Sequence, residues 1–324
     1  MKIALRYTLL ILAAFMLLLI ILAGSVLHIS LDTENIYPQY FRPEECSRLR
    51  RHVEELCSAP RFGEDKQQAR DYIVTTLRNE GWEVTLQHFT TSDGEQHCNI
   101  SALRRGNSPR RYIIGAHYDA CDCDEGNPGA DDNASAVAVL LELARALPRT
   151  RPQYTIELVA WDCEEPPYFG TDDMGSAHHA AQCSPGNVRG LICLEMLGYF
   201  SSEPGSQPDI FPGHELLLPT VGNFIALVGD WQALGIARAA FRHLSCELPT
   251  VRLNIPFSHG TDLYLSDHRN YAPHNIPAIM VTDTAMLRNP HYHEPTDTPA
   301  TLNYYAMDHI LSGLTALIRE LSGC

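Results

Sequence analysis

The sequence is short of positive charge. It carries 24 Lys and Arg against 39 Asp and Glu, a net charge of −15, and no basic stripe interleaves with aromatic residues. A nucleic-acid surface needs such a stripe to neutralise phosphates, so nucleic acid is not an expected partner. The surplus acid favours solubility, and some of the carboxylates are candidates for cation binding. The chain also lacks an internal repeat and any shift of composition after residue 40 that would split it. It lacks the two-residue cysteine spacing of a zinc hairpin, because Cys121 and Cys123 flank only Asp122. Ser25 stands where a lipid-modified cysteine would be required.

What is present begins with an apolar run from Leu9 to Leu27, preceded by Lys2 and Arg6. Its length is close to the ~20 residues that span a bilayer. An uncleaved signal-anchor fits that length best. A signal peptide cut near Ala23-Gly24-Ser25 is the competing reading. In both, the leading positive charges keep the N-terminus in the cytoplasm and put the rest of the chain outside it. The expected organisation is a membrane segment over residues 1–28, a linker over 29–42 and one catalytic domain over 43–324, membrane-anchored or secreted. The ten cysteines fit either some disulfides in an exported domain or buried thiols.

Periodicity then places the elements. Helical stripes run over 43–57 and 64–80, the second stopped by Gly81. Strand patterns run over 82–89 (Val84, Leu86 and His88 on one face), 98–103, 112–115, 154–161, 188–194, 223–228 and 276–282, and helical ones over 134–147, 174–182, 231–244 and 302–321. Alternating strands and helices predict an α/β fold with a mostly parallel mixed central sheet covered by helices on both faces. Residues 204–219, rich in Pro and Gly, read as a long excursion.

The chemistry-bearing residues sit where these patterns end. The strand Tyr112-Ile113-Ile114 runs into Gly115-Ala116-His117-Tyr118-Asp119, and Asp132 stands before the helix that begins near Ala134. In open α/β sheets the carboxyl ends of strands line the ligand crevice. A His and an Asp brought there suggest a metal site, with Asp119 orienting the imidazole. An Asp before a helix serves equally well as an N-cap. Trp161-Asp162-Cys163-Glu164-Glu165 ends another strand, and adjacent glutamates repel unless a cation lies between them. A solvated acidic turn is the bland reading. Glu195 ends a third strand, and His293 lies in a loop near the last helix, where His291 reads as surface decoration. Taken together, His117, Asp132, Glu165, Glu195 and His293 supply two imidazoles and three carboxylates, with Glu164 free as a base. Five ligands exceed one tetrahedral zinc and suit two metals sharing a carboxylate and a water.

The order of these motifs resembles the co-catalytic di-zinc metallopeptidases that include secreted bacterial aminopeptidases and glutamate carboxypeptidase. Four motifs match in order: Gly115 to Asp119, Asp132 to Ser135, Glu164-Glu165 with Met174-Gly175-Ser176, and Tyr292-His293 with Asp297-Thr298. Ser266-Asp267-His268 resembles a segment common near the family's active site. The resemblance implies two zinc ions. His117 would bind one and His293 the other, Asp132 would bridge, and Glu165 and Glu195 would complete the two shells. It implies Glu164 as general base, Asp119 behind His117, Tyr292 as donor to the oxyanion, and a peptide or small amide as substrate. The family usually has aspartate where this chain has Glu195. The loop 121–128 is also unusual, and could carry a disulfide or narrow the entrance. A one-zinc glutaminyl cyclase, a carboxypeptidase or other amidohydrolase, and a non-catalytic ectodomain are the rival readings. Side-chain preference and oligomeric state are not fixed by the sequence.

Overall fold

Strands β1 (Leu27–Ser30), β2 (Glu83–Thr90), β3 (Gln96–Arg104), β4 (Ser108–His117), β5 (Tyr154–Trp161), β6 (Val188–Glu195), β7 (Ile225–Asp230), β8 (Thr250–Ile255) and β9 (Ala278–Thr282) form one sheet in the order β1-β8-β7-β9-β6-β4-β5-β3-β2. The computed structural model describes residues 27–30, 43–122, 126–184, 186–208, 218–255 and 264–324. The expected mixed α/β sheet is present, but its parallel share is smaller than the alternating pattern suggests. The interfaces β9/β6, β6/β4, β4/β5 and β7/β8 are parallel, whereas β1/β8, β7/β9, β5/β3 and β3/β2 are antiparallel. Strands β2 to β4 are joined by short turns, which forces antiparallel pairing between β2 and β3.

The block β9-β6-β4-β5 is what matters for the site. Its strands run the same way, so their carboxyl ends share one edge. Each is apolar on both sides, as a doubly covered strand must be. Ile114 and Ala116 of β4 pack into the larger core with α1 (Pro43–Leu56), α2 (Gln67–Asn79), α3 (Ala136–Ala146), α5 (Leu234–Leu244) and α6 (Tyr304–Ser322). Ile113, Val159, Trp161 and Leu191 face the other side, toward α4 (Gly175–Ala181) and Tyr271. Each fully buried Ile or Leu contributes roughly 1.5–3 kcal/mol. Gly115 is required in β4, since a Cβ there would lie 2.2 Å from the Trp161 indole.

Two strands depart from the sequence reading. β8 escapes it because its pattern carries Arg252 and Asn254, both buried, with the guanidinium donating to the amide oxygen at 2.9 Å. Leu27 and His28, read as the end of the membrane segment, and Ile29 and Ser30, read as linker, pair as β1 with β8. The rest of the apolar run and residues 31–42 lie outside the described residues. Among those described, no helix is long and apolar enough to cross a membrane. On the edge strand β2 the face shared by Val84, Leu86 and His88 is covered only in part, with Val84 against the larger core and Leu86 exposed.

Beneath the sheet, Glu157 meets Arg111 at 2.6 Å and His179 at 3.2 Å. Burial raises the Glu157 carboxyl, but its cationic neighbours hold it at about 2, below the ordinary 4.5. Burial lowers His179, but Cys183 and Glu157 hold it at about 9, above 6.5. The lowered carboxyl contributes stability above pH 4.5 that is lost as pH falls toward 2. The raised imidazole contributes below pH 6.5 and loses its share as pH rises through 9. The melting-temperature gap between wild type and Glu157→Gln should therefore be widest between pH 4.5 and 6.5. A gap that does not vary with pH would show that these charges do not stabilise the fold.

Candidate metal centre

His117 and Glu195 end β4 and β6, and Glu164-Glu165 follow the end of β5. Asp132 arrives by another route. The regular helix α3 starts at Ala136, later than the sequence suggests, and Asp132 and Asn133 have non-helical φ/ψ. Asp132 is therefore no N-cap, and its carboxylate turns toward the imidazoles. Gly129, at φ +59, permits this turn, because a Cβ would come within 2.2 Å of the Asp132 carbonyl. Cys163 (φ 59), Met196 (φ 46) and His293 (φ 59) are also left-handed without being glycine. Two of them adjoin site carboxylates and the third is a site histidine. Such backbone costs about 1–3 kcal/mol each and persists where the surroundings over-determine it.

The side chains fall into two donor groups that share Asp132. In the first, His117 Nε2 lies 3.3 Å from Asp132 Oδ1 and 3.5 Å from Glu195 Oε2, with Glu164 Oε2 at 3.8 Å. In the second, His293 Nε2 lies 3.3 Å from Asp132 Oδ2 and 3.1 Å from Glu165 Oε2. A tetrahedral zinc with ligands at about 2.0–2.1 Å has donor-to-donor edges of about 3.3–3.4 Å. His117 Nε2 and Glu165 Oε1 are buried without a hydrogen-bond partner. Donor type, spacing and these orphaned atoms all fit zinc.

Burial and crowding shift the acids and bases of the site. Burial raises Glu164 well above the ordinary carboxylate range, with Glu195 adding to this and His117 opposing it. Burial and Asp132 lift Glu165 to about 7. Burial raises Glu195 as well. Burial lowers His293, but Asp132 and Glu165 carry it to about 10. For Asp132 burial is outweighed by the two imidazoles, which hold it far below its usual value.

Asp119 faces His117 Nδ1 at 3.4 Å and accepts the backbone N–H groups of Glu164 and Glu165 at 3.3 and 3.1 Å. It therefore ties the two motifs together. Asp119→Asn should weaken zinc affinity by about 10–100-fold, as removal of a ligand's hydrogen-bond partner does. Titration against a chelating dye checks this, and unchanged affinity would remove Asp119 from the site. The Tyr292 ring stacks on His293 with centroids 3.8 Å apart. Burial and the carboxylates of Asp132 and Glu165 push its phenol up, so it stays protonated as a donor. His291 holds Thr296 at 2.8 Å.

Other site residues had weaker signals. Asp297 accepts the N–H groups of Asp131 and Asp132 and so holds the turn. It lies inside a motif already noted, but the motif does not state its task. Ser266 donates to Glu195 Oε2 at 2.5 Å, and the buried Asp267 beside it is lifted by burial to about 7. Arg61 had no signal in the sequence. Its buried guanidinium donates to the carbonyls of Tyr118, Pro128 and Gly129 at 2.7–2.9 Å, joining the His117 and Asp132 turns.

Known proteins share sequence or fold with this chain. Over 292 residues the chain is 39% identical to the uncharacterized protein YfbL of Escherichia coli (strain K12), covering 87% of this chain and 89% of the relative. Its fold is similar to glutaminyl cyclase of Porphyromonas gingivalis, with TM-score 0.65, 18% identity and coverage of 85% and 98% of the two chains. It is also similar to a Zn-dependent exopeptidase of Parabacteroides distasonis, with TM-score 0.62, 19% identity and coverage of 86% and 98%. The model of peptidase family M28 matches residues 99–318, which include His117, Asp132, Glu164, Glu165, Glu195 and His293. With its motifs in order and its fold that of a zinc exopeptidase, the chain belongs to peptidase family M28.

Proposed function

We propose that this chain is a two-zinc aminopeptidase that removes residues from the N-terminus of peptides. The observation that carries the reading is the sharing of Asp132. One carboxylate offers Oδ1 to the His117 group and Oδ2 to the His293 group, at 3.3 Å in both cases. His117 and Glu195 would hold one zinc, and His293 and Glu165 the other. Zinc, when bound, supplies Lewis acidity, lowering the pKa of a coordinated water and polarising the scissile carbonyl.

The chain's own residues do the rest. Glu164 is buried next to the first donor group, 3.8 Å from His117 Nε2. Its carboxylate takes the proton of the attacking water and delivers it to the leaving amine. Tyr292, stacked on His293, donates its hydroxyl to the developing oxyanion. The many buried carboxylates give the site a negative potential that favours a substrate with a free α-amine over one with a free carboxylate. The N-terminal apolar run supports an anchored or exported enzyme acting on the non-cytoplasmic side.

Glutaminyl cyclisation is the second reading, favoured by the fold similarity to cyclases. Zinc content per chain, measured together with hydrolysis of aminoacyl-anilides, separates the two. Near two zincs with chelator-sensitive release of amino acid is the expected result. Near one zinc with no anilide cleavage, and conversion of an N-terminal glutamine, would overturn the aminopeptidase reading.

A further inference from the structure

Cys121 lies two residues after Asp119, on the loop leaving β4. It is fully buried and disulfide-bonded. Its sulfur, a Glu165 carboxylate oxygen and a His293 ring nitrogen all lie within 4.8 Å of one another. Glu165 and His293 are the residues that join Asp132 in the second donor group. Glu165 is 4% exposed, and its Oε1 has no hydrogen-bond partner. The backbone around the sulfur is pinned, with the Ala120 N–H donating to the Arg61 carbonyl at 3.1 Å and the Asn127 amide to the Cys121 carbonyl at 3.5 Å. The sulfur is therefore held beside the second zinc position.

We propose that Cys121 is a redox-controlled fourth ligand for the His293–Asp132–Glu165 position, and that its disulfide keeps this position open for catalysis. The proposal rests on the two-zinc reading. Three protein donors leave a place for water, as in catalytic zinc sites, whereas four including a thiolate make a closed, structural shell. A disulfide sulfur is uncharged and competes poorly for zinc, while a thiolate is among its strongest ligands. Opening the bond needs a dithiol. One reagent thiolate attacks the disulfide and expels a cysteine thiolate. The second reagent thiolate then expels the other cysteine, and the reagent leaves as a cyclic disulfide. Two electrons and two protons pass to the protein. Cys121 releases its proton to solvent when its sulfur takes the open position. The enzyme is thereby active where disulfides persist and shut where thiols are kept reduced.

The test uses the full chain loaded with Co²⁺, oxidised or treated with dithiothreitol and then freed of it without air. Alkylation followed by mass measurement counts the opened thiols. Reduction should bring a thiolate-to-cobalt charge-transfer absorption in the near ultraviolet. It should also lower anilide hydrolysis by at least about tenfold, the scale on which changes at a metal ligand act. Both changes should reverse on reoxidation with a disulfide reagent. The Cys121→Ala variant should show neither the absorption nor the response to dithiol.

A disulfide that dithiothreitol does not open overturns the switch. So does a reduced chain without the absorption, or an equal loss of activity in Cys121→Ala on dithiol treatment, which would mean that the reagent strips metal. A chain that takes up cobalt and cleaves anilides but never shows the absorption overturns this proposal alone. One that takes up no cobalt in either state overturns the zinc reading, and this proposal with it.

Discussion

Glu164→Gln should leave zinc content unchanged and lower kcat by about 10²–10⁴-fold, the usual contribution of a general base. The substitution keeps shape and volume but removes the proton acceptor. Zinc should stay, because the two donor groups are complete with His117, Asp132, Glu195, Glu165 and His293. KM should change little, since the backbone of Glu164 remains fixed by Asp119. Unchanged turnover would remove Glu164 from the mechanism. Loss of zinc together with activity would make it a ligand rather than a base.

Asp132→Asn should be the more damaging change. Each Asp132 oxygen faces a different imidazole. An amide leaves one neutral oxygen and points an N–H at the other position. Zinc content should fall below one per chain, and activity by more than the ~100-fold typical of losing a hydrogen-bond partner behind a ligand. The Asp132→Asn/Glu164→Gln double variant should be hardly worse than Asp132→Asn, as expected for residues that act as a unit. Retention of two zincs in Asp132→Asn would show that the metals do not share this carboxylate. Elemental analysis of the purified variants decides.

Local pattern alone shows which residues could do chemistry and which elements present them. Apolar strands ending in His117, Trp161 and Glu195 are legible because local period and local polarity change at the same place. The family resemblance then ordered them. Other features are set by pairing between distant segments, which leaves no local trace. The antiparallel flanks and the edge position of β2 depend on which strands meet. β8 was masked by Arg252 and Asn254, which bond to each other and, through the Asn254 amide, to the Asp230 carbonyl.

The finer construction of the site was decided only in three dimensions. Asp131 and Asp132 are neighbours of like chemistry, yet the turn made possible by Gly129 and held by Asp297 gives Asp132 to the two imidazoles. Asp131 is sent instead to the Gly198 N–H and the Asn289 amide. Arg61 joins two turns from a third part of the chain through carbonyls, groups that every residue has and no sequence pattern marks. Cys121 reads in the sequence as part of an odd loop. Only packing brings its sulfur within 4.8 Å of Glu165 and His293 donors contributed from 44 and 172 residues farther along the chain. A ligand set is a matter of residue type, which the sequence states. A coordination position is a matter of distances between segments far apart along the chain, and these exist only once burial of both faces of the sheet has fixed where its strands end.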